Sequence, residues 1–202
     1  MSQYMNLIGQ KARKASFKKI NTKVKNKVLK NYALLLDKEK NSILKANEKD
    51  VKLALRKGLT NNLINRLFID QKKLNIIKSS INKITKLKDP TDNVLEKWSR
   101  PNGLKISRVS IPIGVIGVIY ESRPNVTSDI ASLCFKSGNA VILKGGSEAT
   151  NTNKILAKLF RKALKENKVD KDFIQFVDST DRKMVDFMLS KMKDFIDVIK
   201  IG

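Results

Sequence analysis

The sequence predicts an α/β fold, with helices first and a Rossmann-like parallel sheet after them. Three observations carry this. The first 90 residues hold two glycines, Gly9 and Gly58, no proline before Pro90, and apolar residues at helical spacing. All four prolines fall between Pro90 and Pro124, where the texture changes. From Gly114 onward, short apolar runs alternate with amphipathic stretches, the pattern of strands joined by crossover helices.

In the helical part, Val24, Val28, Leu29, Tyr32, Leu35 and Leu36 form one stripe, and Ile43, Leu44, Val51, Leu53 and Leu55 suggest another. Residues 61–69 and 72–87 continue the pattern. Gly58 marks a helix stop after Arg56-Lys57. Asp89-Pro90-Thr91-Asp92 reads as a turn. Segments 94–98 and 104–111 read as two strands, and Asn102-Gly103 between them makes a hairpin plausible. Strands are then expected at 115–120, 140–143, 173–177 and within 195–201. Helices are expected at 128–137, closed by Gly138, at 150–166 and at 182–191. The chain is expected to end on a strand, which reads as an interruption rather than a finished sheet.

Composition narrows the function. The chain has 202 residues, 42 Lys+Arg against 19 Asp+Glu, and a net charge of +23. Such charge suits nucleic acid, an acidic membrane face or an anionic small molecule. However, 34 of the basic residues are Lys and 8 are Arg, the residue preferred for bidentate phosphate and base contacts. Solvated surface lysine therefore accounts for most of the excess. There is no His, which removes His-based acid/base catalysis and most zinc sites. One cysteine, Cys134, and no evident signal peptide fit a reducing, cytoplasmic setting. No apolar run approaches the roughly 20 residues that span a bilayer.

Two segments after expected strands carry chemistry. Leu143-Lys144-Gly145-Gly146-Ser147-Glu148 joins glycines, a cation and a following helix N-terminus with free amides. It fits a phosphate or phosphorylated nucleotide, or else an ordinary strand-to-helix turn. Neither a Walker A motif nor GxGxxG is present. In Tyr120-Glu121-Ser122-Arg123-Pro124-Asn125-Val126-Thr127, Arg123 can clamp an anion and Asn125 can donate to an oxyanion, or the segment is a capping turn. Cys134 sits inside an expected helix, with no His to activate it, and reads as a structural thiol.

Residues 110–127 and 133–148 resemble two blocks of the gamma-glutamyl phosphate reductases (glutamate-5-semialdehyde dehydrogenases), in the aldehyde dehydrogenase superfamily. Gly9-Gln10-Lys11-Ala12, Ala46-Asn47-Glu48-Lys49-Asp50 and Asp194-Phe195-Ile196-Asp197-Val198-Ile199 fit as well. The resemblance implies a truncated sheet of the aldehyde dehydrogenase type. It also implies NADPH-dependent reduction of L-glutamate 5-phosphate to L-glutamate 5-semialdehyde and phosphate, a step of proline synthesis. A thiolate attacks the acyl phosphate there, and hydride reduces the resulting thioester. Carried over by position, Lys144 meets the adenosine ribose. Ser147 stands where NAD-preferring members often carry Glu, which favours NADPH. Gly145, Gly146, Ser179 and, weakly, Thr180 approach the cofactor. Arg123 clamps the substrate phosphate or competes with Asn125 for the oxyanion. Cys134 matches a structural position, so the nucleophile is expected outside this chain, which alone should be inactive and poorly soluble.

The resemblance also implies a division into a helical part of the cofactor domain (1–92), a β-hairpin oligomerisation arm (93–112) and an incomplete α/β NADPH-binding part (113–202), the catalytic domain being absent. It implies a homo-oligomer at full length and a functional link to glutamate 5-kinase, without nucleic acid or membrane partners. Two rival readings are a basic nucleic-acid-binding protein and a stand-alone nucleotide-binding module.

Overall fold

The computed structural model describes residues 2–121 and 123–202. Five helices come first: α1 (Ser2–Ser16), α2 (Thr22–Lys38), α3 (Lys40–Arg56), α4 (Asn61–Leu67) and α5 (Gln71–Lys86). Asn21 caps α2 by accepting from the Val24 N–H, and Asp70 caps α5 in the same way through Lys73. The expected stop after α3 is present, with Gly58 at φ +70°.

An antiparallel hairpin follows, β1 (Val94–Ser99) and β2 (Lys105–Val109), turning through Gly103 at φ +83°. Every residue of β1 is exposed, so the hairpin projects from the body as an arm. Its base is tied down. Lys25 Nζ, almost fully buried, donates to both Asp89 oxygens at 3.1 and 3.0 Å and to Thr91 Oγ1 at 3.1 Å. Ser110 and Asn93 then close the arm with paired hydrogen bonds.

The α/β part comprises β3 (Val115–Tyr120), α6 (Pro124–Lys136), β4 (Ala140–Gly145), α7 (Thr150–Glu166), β5 (Ile174–Phe176), α8 (Lys183–Lys191) and β6 (Val198–Ile201). The four strands are parallel, in the order β5-β4-β3-β6. All six residues of β4 are buried; the strand follows the expected apolar run over 140–143 and continues through the buried Lys144 to Gly145. Helices α6 and α7 cover one face and touch α2, while α1 packs with α8. One continuous apolar core joins these helices to the sheet. Within it Tyr32, Phe135, Phe160 and Phe173 form a chain of ring contacts with centroids 4.5–5.9 Å apart.

Two motifs quoted from the ends of the chain meet in space. A Cβ on Gly9 would stand 2.6 Å from the Phe195 ring, so that helix position admits only glycine at this spacing. Arg13 reaches Asp197 with two hydrogen bonds of 2.8 and 2.9 Å, and Asp197 also accepts from the Val115 N–H at 2.7 Å. Helix α1 is thereby fastened across the amino ends of β3 and β6.

Three sequence expectations are corrected. Helix α6 starts at Pro124 rather than Ser128, because proline at the first helical position gives up an N–H that would be unpaired anyway. Leu53 and Leu55 are exposed, and α3 instead buries Ile43, Asn47, Asp50 and Ala54. Strand β2 ends at Val109, short of the expected Ile111.

Candidate functional site

All the singled-out segments arrive at one edge of the sheet. In a parallel sheet every strand delivers its carboxyl end to the same side. The loops after Tyr120, Gly145 and Phe176, and Gly202 after β6, therefore share it.

Lys144 lies one residue from the end of β4 and is 5% exposed. Its ammonium donates to the Gly145 carbonyl at 3.0 Å. Burial pulls its pKa below the usual lysine range, while the charges of Glu148 and Asp181 pull the other way. Gly146 then leads into a short 3-10 turn, residues 147–149. Ser147 Oγ donates to Glu148 Oε1 at 2.6 Å. The neutral position inferred from sequence thus has a carboxylate on its hydroxyl.

The following helix N-terminus differs from expectation in a more consequential way. Asp50, 2% exposed on α3, fills the first turn of α7. It accepts from Asn151 N and Nδ2 at 3.1 and 2.7 Å, and from Thr152 N and Oγ1 at 2.8 and 2.6 Å. Asn47, one turn earlier on α3, donates to Thr152 Oγ1 and Leu67 O and accepts from Ile69 N. The amides expected to receive a ligand phosphate are therefore taken by a carboxylate from elsewhere in the fold.

Behind the loop runs a second buried chain. The Tyr120 hydroxyl meets Thr127 Oγ1 at 2.7 Å, and Thr127 Oγ1 contacts Asn153 Oδ1 at 2.8 Å. Asn153 is fully buried, and its Nδ2 has no hydrogen-bond partner among the described residues. A Cβ on Gly145 would stand 2.4 Å from that nitrogen, so Gly145 leaves room for the amide. The missing side chain thus makes room for Asn153, while the Gly145 backbone ends β4 at the loop that the sequence expects to meet a ligand.

Two clefts open on either side of the start of α6. One, of about 400 Å³, is lined by Leu63, Arg66, Glu121, Arg123, Gly146 and Glu148 among others. The second, of about 300 Å³, lies between α5 and α6 and is lined by Arg66, Lys73, Ile76, Ser80, Asn125 and Asp129 among others. The structure thus brings Arg123 together with Gly146 and puts Asn125 in the neighbouring cleft. Asn125 Nδ2 donates to Asp129 Oδ2 at 3.3 Å. Ser122 lies outside the described residues. Ser179 accepts from the Asp181 N–H at 3.2 Å and so turns the chain toward α8. Burial raises the Cys134 thiol to about 12, so it is neither accessible nor ionised near neutrality.

Arg66 borders both clefts and approaches Glu121 at 3.8 Å. The sequence offered no signal for it, because it sits on a seven-residue helix inside a long helical run. For Asn47 and Asp50 a signal existed: they share the buried face of α3 with Ile43 and Ala54 at helical spacing. Among the described residues no cluster of His, Cys, Asp or Glu can hold a metal, and no helix is long and apolar enough to cross a membrane.

This architecture is an aldehyde dehydrogenase fold. A propionaldehyde dehydrogenase from Clostridium phytofermentans superposes with a TM-score of 0.69 at 15% identity, covering 98% of this chain and 42% of that one. The particular kinship is to gamma-glutamyl phosphate reductase, with which this chain is homologous over nearly its whole length. The chain is 43% identical over 198 residues to the enzyme of that name from a Sulfurihydrogenibium species, covering 97% of this chain and 44% of that protein. It is 45% identical over 192 residues to the one from Caldanaerobacter subterraneus, covering 94% and 46%. The crystal structure of the Thermotoga maritima gamma-glutamyl phosphate reductase gives a TM-score of 0.95 at 36% identity, covering 98% of this chain and 48% of that one. No family model matches the chain. The chain spans about half the length of the curated relatives it matches.

Proposed function

We propose that this chain is the NADPH-binding part of a gamma-glutamyl phosphate reductase, which reduces L-glutamate 5-phosphate to L-glutamate 5-semialdehyde and phosphate in proline synthesis. The observation that carries this is identity of 43–45% with enzymes of that name along almost the entire chain. The donor set at the sheet edge suits a phosphorylated dinucleotide. Lys144 brings a buried cation with one carbonyl partner, and Ser147 brings a hydroxyl beside it. When bound, the cofactor supplies hydride. Lys144 and Ser147 hold its phosphoribose end, with Gly145, Gly146 and Ser179 shaping the approach. Glu148 limits the preference for the 2′-phosphate, because its carboxylate bonds Ser147 and acts on Lys144.

Arg123, with Arg66 across the same cleft, binds the substrate phosphate. Asn125 presents its amide in the adjoining cleft as the oxyanion donor. The attacking thiolate belongs to residues outside this chain, since its single cysteine, Cys134, is buried. The hairpin arm joins copies of the chain in the full-length oligomer; it carries Trp98 and Leu95 on exposed strands. The setting is cytoplasmic, with the supply of acyl phosphate coming from glutamate 5-kinase.

The test is nucleotide titration followed by calorimetry. NADPH should bind at least about tenfold more tightly than NADH, and Glu148→Gln should widen that ratio. Equal affinity for both cofactors would discard the assignment of Lys144 and Ser147. Reductase activity from the chain alone would discard the external thiolate.

A further inference from the structure

We propose that the cleft between α5 and α6 binds the amino-acid end of the substrate, with Asp129 accepting its α-ammonium group. This rests on the reading of the chain as part of a gamma-glutamyl phosphate reductase. It adds the residue that distinguishes an amino acid from a plain dicarboxylate.

The walls of the cleft are apolar where a methylene chain would lie. Ile76 and Phe68 are 60% and 45% exposed, although each sits beside a well-packed helix face. Its charged lining has three members: Arg66 and Lys73 are cations, and Asp129 is the single carboxylate. Asp129 Oδ1 accepts from Ser80 Oγ at 3.0 Å, and Oδ2 accepts from Asn125 Nδ2 at 3.3 Å. Both donors are neutral, and among the described residues no cation pairs with it. The two bonds fix the carboxylate's orientation between the helices and leave its charge uncompensated, with lone pairs to spare.

Lys73 is arranged in the complementary way. Its Nζ donates to the Asn65 and Phe68 carbonyls, both at 2.7 Å, which locks the side chain over the end of α4. An ammonium has three donors, so one remains for an anion. A fixed carboxylate and a fixed ammonium on the walls of one small cleft match the two charges of an amino-acid backbone. Arg66 leads from this cleft into the next, where Arg123 stands. The cation-lined passage therefore runs from the amino-acid end toward the phosphate end of one ligand.

The experiment uses the chain as it is, titrated with L-glutamate, glutarate and inorganic phosphate. Glutarate keeps both carboxylates and lacks only the ammonium. L-glutamate should bind about tenfold more tightly than glutarate, the size of one charge-assisted hydrogen bond. Asp129→Asn should bring the two ligands within about twofold of each other. Inorganic phosphate, held by the arginines, should keep or gain affinity in that variant. The glutamate-to-glutarate ratio in the unaltered chain needs no variant, so it decides the matter even if D129N folds poorly. Equal binding of the two ligands, binding of neither, or a loss of phosphate affinity equal to the loss of glutamate affinity would overturn the proposal. NADPH stabilisation of the same sample separates the two readings. If it persists without a glutamate preference, only the Asp129 assignment falls; if it is absent while the preference holds, the cofactor reading falls.

Discussion

Asp50 shows how one residue can set a site it does not touch. Its carboxylate holds four donors at the start of α7, two of them on the fully buried Thr152. Removing it leaves buried N–H and O–H groups without partners, each costing about 1–3 kcal/mol. We expect Asp50→Ala to lower the unfolding free energy by about 3 kcal/mol in urea titrations. It should also weaken NADPH binding, because the Gly145–Ala149 loop leads directly into that turn. Asp50→Asn, which keeps part of the acceptor capacity, should fall between. Cys134 gives the opposite kind of test. With its thiol raised to about 12 by burial, it should react with an aromatic disulfide reagent at least about a hundredfold more slowly than in the urea-unfolded chain. An equal rate would contradict its place in the core. The same contrast explains what sequence reasoning missed. Hydropathy detects Cys134 and the buried Phe135 beside it, but Asn47 and Asp50 count as polar and vanish from an apolar stripe. Their spacing with Ile43 and Ala54 places them on the buried face, and the resemblance already marks their segment, but neither signal shows that they cap α7.

At the scale of elements, legibility tracks how local the determining physics is. Helix α7 occupies the range expected from its periodicity, and β3 and β4 follow their apolar runs because burial on both faces favours apolar side chains, Lys144 near the end of β4 being the exception. The start of α6 differs from the expected Ser128 because the segment around Pro124 reads as a turn, although proline is favourable at a first helical position. The two clefts were not legible, since each is built from segments distant in sequence and only packing brings Arg66 and Arg123 to one cleft. The hairpin was legible from Asn102-Gly103, but its anchor was not: Lys25 is 66 positions from Thr91. That anchor makes a pH prediction. Burial raises the Asp89 pKa, but donors from Lys25, Thr22 and Thr91 outweigh it and bring the group to about 2. A carboxylate depressed in the folded state contributes stability above its unfolded value of 3.8 and loses it as pH falls toward 2. The contribution is about 2 kcal/mol. The arm should therefore loosen between about pH 4 and pH 2. Amide exchange in β1 and β2 should accelerate there before the sheet does, and Asp89→Asn should remove that step.

For the whole molecule, the charge of +23 is best weighed by where it goes. Some surface lysines pair with carboxylates, as with Lys18 and Asp170 at 2.7 Å and Lys78 and Asp37 at 2.5 Å, and the excess stays solvated. Exposed pairs of this kind contribute little to stability. Among the buried charges, Lys144 is the one at the carboxyl edge of the sheet. Its pKa is lowered by burial, so between its folded and unfolded values the native chain binds fewer protons than the unfolded chain. In the absence of ligand this makes the group's contribution to stability rise with pH across that window. On the proposed reading, a bound 2′-phosphate would reverse the preference, since its negative charge would hold the proton on Lys144. Cofactor binding should therefore take up a proton there and weaken as pH rises through the window. At a hundredfold excess over Kd, NADPH contributes about 2.7 kcal/mol, which is about 6 °C in Tm for a chain of this size. We expect that increment near pH 7, a smaller one by about pH 10, and less change for NADH over the same range. Lys144→Met keeps the buried stem and removes the charge. It should erase the pH dependence along with most of the NADPH increment, without lowering the Tm of the unliganded chain. An increment that stays constant from neutral to alkaline pH would mean that the phosphate is held by other groups.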